Sequence, residues 1–192
     1  MIYRKAPMTA DILVSVCYGG VLMGNLFIVY GDVLSEKLRF LADVIVVPAY
    51  GGEMKPRDEM TDRLFELAGR RELERAIREK YNLEPMNRGE VRGVDFPMFL
   101  EKLLFVYSLD EPLWGLESKP QIEKHLIVGY HNAVTVARLL GYDNILIPFF
   151  GMSLTESENE KMIKRITKMF RGELHSRHRE MDIYFVIPEW MG

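Results

Sequence analysis

Leu41-Ala42-Asp43-Val44-Ile45-Val46-Val47-Pro48-Ala49-Tyr50-Gly51-Gly52 is the stretch on which the reading of this chain turns. From Asp43 to Val47 the run is apolar and β-branched with no polar alternation, the pattern of a strand covered on both faces of a sheet. It predicts a central strand. Pro48 has no N–H to give to a ladder, so regular pairing is expected to stop there, and Gly51-Gly52 permit backbone angles closed to other residues. The chain then leaves the carboxyl end of a buried strand through a permissive loop, the place where open α/β sheets hold their ligands. Asn144-Ile145-Leu146-Ile147-Pro148 repeats the design and runs into Phe149-Phe150-Gly151-Met152-Ser153. Two such loops side by side make one cleft.

Outward from these two strands, helical and extended patterns alternate. Leu26 to Tyr30 reads as a strand ending at Gly31-Asp32-Val33, and Ser35 to Phe40 as a short charged connection. Pro56 and Asp58 open a helix with Asp58 as N-cap, Glu59 and Asp62 favouring its positive end, Met60, Leu64, Leu67 and Ala68 inward, and Gly69 as a break. A second helical piece follows from Glu72 to Tyr81, with Leu73, Ile77 and Tyr81 inward. Asn87 to Pro97 is loop-like, Leu103 to Leu109 is a third apolar strand, and Pro112-Leu113-Trp114-Gly115 is a loop at its end. Pro120 and Gln121 begin a helix reaching Leu140, capped by Gly141. Thr155 or Ser157 caps a last helix whose core face is Met162, Ile163, Ile166, Met169 and Phe170, and Ile183 to Ile187 is a closing strand. This order predicts an α/β sandwich with a mostly parallel sheet.

The chain has 192 residues, enough for one well-buried domain, and 48% of them are apolar, a globular rather than a disordered composition. Residues 1–192 are therefore read as a single domain, with 1–25 as an N-terminal strand or hairpin extension that makes the sheet mixed. Ile12 to Tyr30 is long and nearly uncharged, a pattern that imitates a membrane span. Gly19, Gly20 and Gly24 with Asn25 divide it into two strand-length pieces, which favours a hairpin. No small-residue cleavage pattern follows it, so a signal peptide is disfavoured. A net charge of -3 gives no general pull toward nucleic acid or anionic membrane, and neither partner is expected. One cysteine, Cys17, excludes an internal disulfide and fits a reducing cytoplasm.

Gly31-Asp32-Val33, Asp43-Val44-Ile45-Val46 with Ala49, Ala68-Gly69, Gly89-Glu90 with Pro97, Pro112-Leu113-Trp114, and Ile147-Pro148 together resemble a macro domain in their order and spacing, from about Leu26 to the final strand. The resemblance implies a three-layer α/β/α sandwich holding ADP-ribose or a related adenine nucleotide at the strand ends. It implies that Asp32 accepts a hydrogen bond from the adenine amino group, with Val33 beside it. A carboxylate suits that task, being an acceptor-only group facing a donor. The plainer alternative is that Asp32 caps the Ser35 segment. The family's Asn-Ala-Ala-Asn motif stands here as Val47-Pro48-Ala49-Tyr50, without either asparagine, and hydrolytic members use the second one. Tyr50 is left to stack on a ribose or base, or to fill the cleft. The glycine run that touches the diphosphate is reduced to Gly51 and Gly52, followed by Glu53-Met54-Lys55-Pro56-Arg57-Asp58-Glu59. Lys55 and Arg57 then either meet phosphate by charge or form a solvated charge run. The second phosphate loop is represented by Phe150, Gly151, Met152 and Ser153. A free helix N-terminus there would attract an anion, and Glu156, Glu158 and Glu160 oppose it.

No other chemistry stands out. His175 and His178 have a spacing compatible with one metal, but without a third ligand the better reading is a basic helix end, and no metal or cofactor is predicted. His131 is read as surface or packed. No catalytic triad, nucleotide-hydrolase phosphate loop or dehydrogenase glycine fingerprint is present. Three functions follow from the resemblance and its departures. The first is an ADP-ribose binder without efficient hydrolysis. The second is a hydrolase of ADP-ribosyl esters or ADP-ribose phosphate, with no catalytic residue assignable. The third is an interaction module whose nucleotide site has degenerated, docking through Tyr50, Trp114, Phe149 and Phe150. Oligomeric state is not legible.

Overall fold

Each apolar run becomes a strand of one sheet, and the amphipathic segments between them become helices on its faces. The computed structural model describes residues 13–18, 21–95, 102–107, 119–150, 156–175 and 180–189, with backbone alone for 13–18, 21–23, 119, 156 and 175. In chain order the elements are β1 (Leu13–Tyr18), β2 (Val21–Tyr30), α1 (Glu36–Arg39), β3 (Val44–Pro48), α2 (Glu59–Ala68) and α3 (Arg70–Tyr81). They continue with β4 (Val91–Val94), β5 (Lys102–Val106), α4 (Lys119–Leu139), β6 (Asn144–Pro148), α5 (Glu156–His175) and β7 (Asp182–Ile187). The sheet runs β1-β2-β7-β6-β3-β5-β4. Its four interior pairings are parallel, while β1 on β2 and β4 on β5 are antiparallel at the two edges.

The strands are buried from both sides because alternate residues feed two separate cores. Val44, Val46, Ile145, Ile147 and Phe185 pack against Leu126, Tyr130 and Val134 of α4 and Met162, Ile166 and Phe170 of α5. Ile45, Val47, Leu103, Phe105 and Leu146 face the other way, onto Leu38 of α1, Leu64 and Phe65 of α2, and Leu73 and Ile77 of α3. All of β3 is buried, as its unbroken apolar run predicted. The result is a three-layer α/β/α sandwich around a mixed sheet. Among the described residues no helix is long and apolar enough to cross a membrane.

Several local expectations need correction. Asn87–Pro97 is not loop throughout, because Val91–Val94 forms the edge strand β4. Gly93 belongs in it, since a Cβ there would sit 3.3 Å from the Leu104 side chain, and its carbonyl accepts from Tyr81 Oη at 2.7 Å and Lys80 Nζ at 2.9 Å. Leu67 points to solvent, and Thr61 and Phe65 take the inward places on α2. Ile183–Ile187 is a strand as expected, within β7, which lies between β2 and β6 in the sheet. Ser157 lies inside α5 rather than capping it, and Thr155 falls outside the described residues. The N-terminal hairpin is present, but Gly24 does not divide it.

Gly24 sits within β2 at φ +109°, and a Cβ there would meet the Met181 carbonyl oxygen at 2.1 Å. Only glycine allows β2 to approach the chain entering β7, where Asp182 Oδ1 accepts from the Asn25 amide and Nδ2 at 2.8 and 2.9 Å. Gly24→Ala should therefore destabilise the protein by about 1–3 kcal/mol, the usual scale of overpacking. Urea unfolding measures this; an unchanged midpoint would show that the two segments separate at no cost.

Candidate functional site

The cleft begins as a fault in the sheet. Successive residues along a strand send their amides to opposite neighbours. The Ala49 amide donates to Val106 of β5 at 2.8 Å, so position 48 faces β6. The Phe149 amide donates to Val186 of β7 at 2.8 Å, so position 148 faces β3. Both positions are proline, and neither can donate across the seam. The β3–β6 register accordingly ends at Ile45–Leu146, while β3–β5 continues to Pro48–Val106 and β6–β7 to Pro148–Val186. Pairing at Pro48 thus fails on one side only. The carboxyl half of the sheet parts between β3 and β6.

A cleft of about 400 Å³ lies over this end of the sheet, within the roughly 300–1,000 Å³ usual for small-molecule sites. Its walls are Gly31–Val33 after β2, Tyr50 after β3, Asp58–Met60 and Arg63 of α2, Pro148–Phe150 after β6, and Val186, Pro188 and Glu189 at the end of β7. Of the residues read from the sequence as ligand-binding, Asp32, Val33, Tyr50 and Phe150 are brought together here. Ala49 and Gly52 are buried away from it, and Gly51 is exposed beside it. Gly52, at φ +74°, lets the loop touch the chain at Met86: a Cβ would lie 2.7 Å from the Met86 oxygen, and the Met86 amide donates to the Gly52 carbonyl at 2.8 Å. Gly151, Met152 and Ser153 lie outside the described residues, as do Trp114 and His178.

Asp32 has two tasks already. Its Oδ1 accepts from the Leu34 amide at 3.0 Å, and its Oδ2 accepts from Arg63 at 2.7 Å. Asp32 does not cap α1, whose N-cap is Ser35; its contact with the Leu34 amide closes a local turn before the helix, and 42% of its side chain is exposed. The hydrogen bond to Asp32 raises the pKa of the Arg63 guanidinium further above its ordinary value. Tyr50 leans across the loop and donates to Asp58 Oδ2 at 2.7 Å. Asp58 caps α2: its Oδ1 accepts from the Thr61 amide at 2.7 Å and from Thr61 Oγ1 at 2.8 Å. Lys55 and Arg57 both pair with Glu53 at 2.5 Å, and Lys55 first, Arg57 second, hold the Glu53 carboxyl below its ordinary range.

On the other wall, Phe149 and Phe150 are buried, one edge-on to Phe185 and the other stacked on Tyr130 at 4.3 Å. They are core rings and form no exposed docking patch. Tyr130 was missed by sequence reasoning because a tyrosine in the middle of an apolar helix face looks like filler. It is fully buried, its hydroxyl donates to the Pro148 carbonyl at 3.3 Å and accepts from the Phe150 amide at 2.8 Å. Burial pushes its phenol far above the ordinary value, so it stays neutral and able to do both. Asp58 was legible only as a helix cap, and Arg63 was not singled out. His131 pairs with Glu173 at 2.9 Å, and among the described residues no group of three or more His, Cys, Asp or Glu side chains could hold a metal ion.

No family model matches the sequence, and no curated protein does. Solved structures do. A mutant of the Oceanobacillus iheyensis macrodomain superposes with a TM-score of 0.69 at 16% identity, over 94% of this chain and 92% of that one. The chain has a macrodomain fold. Another mutant of the same macrodomain, solved with ADPR, gives 0.68 at 18% identity over 93% and 90%. The macrodomain of Thermus aquaticus DarG gives 0.57 at 13% identity over 85% and 98%. At these identities the likeness concerns the macrodomain scaffold, and the loops over the seam must be read from their own chemistry.

Tyr130→Phe tests how the scaffold holds its second loop. Removing the hydroxyl leaves the buried Phe150 amide and Pro148 carbonyl short of a partner, at about 1–3 kcal/mol. Unfolding in urea should register that loss, and amide exchange at Phe150 should quicken beyond the global change. A variant with wild-type stability would mean that water replaces the hydroxyl freely.

Proposed function

We propose that the cleft binds ADP-ribose or a related adenine nucleotide, with Asp32 accepting the exocyclic amino group of the base. The observation that carries this reading is the exposed carboxylate of Asp32 on the rim of a cleft of about 400 Å³ at the carboxyl ends of the strands. A carboxylate has about four acceptor positions, and the Leu34 amide and Arg63 each use one, so an amino group can still be received. Val33, Phe149, Val186 and Pro188 supply apolar surface for a base and sugar. The macrodomain solved with ADPR supports the same ligand class.

Efficient hydrolysis of ADP-ribosyl groups is not part of the proposal. Val47-Pro48-Ala49-Tyr50 carries no side-chain amide, and the Tyr50 hydroxyl is committed to Asp58.

Calorimetry with ADP-ribose should give saturable binding. Asp32→Asn should weaken it about 10- to 100-fold, the worth of a charge-assisted hydrogen bond of about 1.5–3 kcal/mol. The asparagine carbonyl can keep the Leu34 amide, while its NH₂ would oppose the adenine amino group. Absence of both heat and thermal shift at millimolar ligand would remove the reading. ADP-ribosylated protein and ADP-ribose phosphate should remain uncleaved, and clear release at low enzyme concentration would convert the binder into a hydrolase.

A further inference from the structure

A carboxylate alone reads only half of an adenine edge. It accepts from an amino group, and adenine, guanine and cytosine each carry one. The adenine amino group is flanked by ring-nitrogen acceptors, N7 on one side and N1 on the other, so a full reading takes an acceptor and a donor set side by side. A carboxamide supplies both from one residue when it pairs with adenine N6 and N7.

In this cleft the donor stands against Asp32. Arg63 lies one turn beyond Glu59 in α2, and among the described residues that line the cleft it carries the one guanidinium. Its Nη2 donates to Asp32 Oδ2 at 2.7 Å, which is its one hydrogen bond among the described residues, and half of the side chain is exposed. The other donors of its five-donor fork remain for a ligand. Asp32 is fixed as well, since its Oδ1 takes the Leu34 amide at 3.0 Å. The turn after β2 and the second turn of α2 thus present an acceptor and a donor in contact, from residues 31 positions apart.

Resting on the adenine-binding reading above, we infer that Arg63 is a second base-reading residue: while Asp32 accepts from the exocyclic amino group, Arg63 donates to the ring nitrogen beside it. An amino nitrogen received by Oδ2 lies about 3 Å from that oxygen, and Nη2 is already 2.7 Å from it, so the guanidinium and the base edge are neighbours. A donor that carries charge strengthens the bond, and an arginine keeps its proton at any working pH. The same anchoring to Asp32 holds Arg63 at the base and away from the phosphates of an extended ligand.

Calorimetry on the whole chain with ADP-ribose and with its 7-deazaadenine and 1-deazaadenine analogues, in wild type and Arg63→Met, forms a double-mutant cycle between one side chain and one ligand atom. Methionine is a good helix former, and the exposed ion pair it removes is worth little to the fold. One analogue should bind wild type about tenfold or more weakly than ADP-ribose does, and Arg63→Met should lose a similar factor on ADP-ribose itself. That analogue and ADP-ribose should then bind Arg63→Met equally, and the analogue concerned names the nitrogen. If neither analogue is weaker, or if the two penalties simply multiply, Arg63 acts through Asp32 or on phosphate and the inference is overturned, while weakening by Asp32→Asn leaves the adenine-binding reading standing. Failure of ADP-ribose to bind wild type would overturn both.

Discussion

Two prolines facing each other across a parallel seam set the rest of this molecule's design. Pro48 and Pro148 occupy the positions whose amides would have joined β3 to β6, so the sheet remains paired at the amino ends of those strands and opens at their carboxyl ends. Each strand keeps its other neighbour to the tip, β3 with β5 and β6 with β7. The opening therefore costs few hydrogen bonds. Because residues on both sides of the seam continue to feed the two helix layers, the split occurs without exposing either core.

What differs from the macrodomain pattern is the furniture of the opening. The family's glycine run leaves backbone amides for a ligand to take, as the resemblance implies. Here side chains take each other: Tyr50 and Thr61 on Asp58, Lys55 and Arg57 on Glu53, Arg63 on Asp32. The ion pairs among these are exposed and individually weak in water. Among the described residues, their collective effect is to engage side-chain donors around the opening with the protein's own carboxylates.

Much of the scaffold was legible in the sequence, and the reasons are local. A β-branched run ended by proline announces a buried strand whatever surrounds it, and Pro56 with Asp58, followed by Glu59 and Asp62, announces a helix start. β4 was missed because Gly89, Gly93 and Pro97 punctuate a four-residue strand whose apolar content is two valines; its existence depends on β5 beside it, which composition cannot show. Within the site, Asp32 was found through the family resemblance, whereas Arg63 was not, since it meets Asp32 across 31 positions of sequence. Tyr130 escaped for a related reason. A hydroxyl buried between a proline carbonyl and a loop amide is written in three dimensions, and only its aromatic ring is visible to periodicity.

The two walls of the opening are consequently unequal in kind. On the β6 side the strand end at Pro148–Phe150 is held from within, by a neutral phenol, a stacked ring pair and the core beneath it. On the β3 side the loop is held by charged and hydroxyl groups at the surface, apart from Gly52 pressed against Met86. The opening between them therefore has one buried apolar wall and one polar rim. Binding that exchanges hydrogen bond for hydrogen bond at the rim gains little net free energy there. On the proposed reading, the favourable part would come from the Asp32 carboxylate and from Pro188, with Phe149 and Val186 nearly buried beneath them.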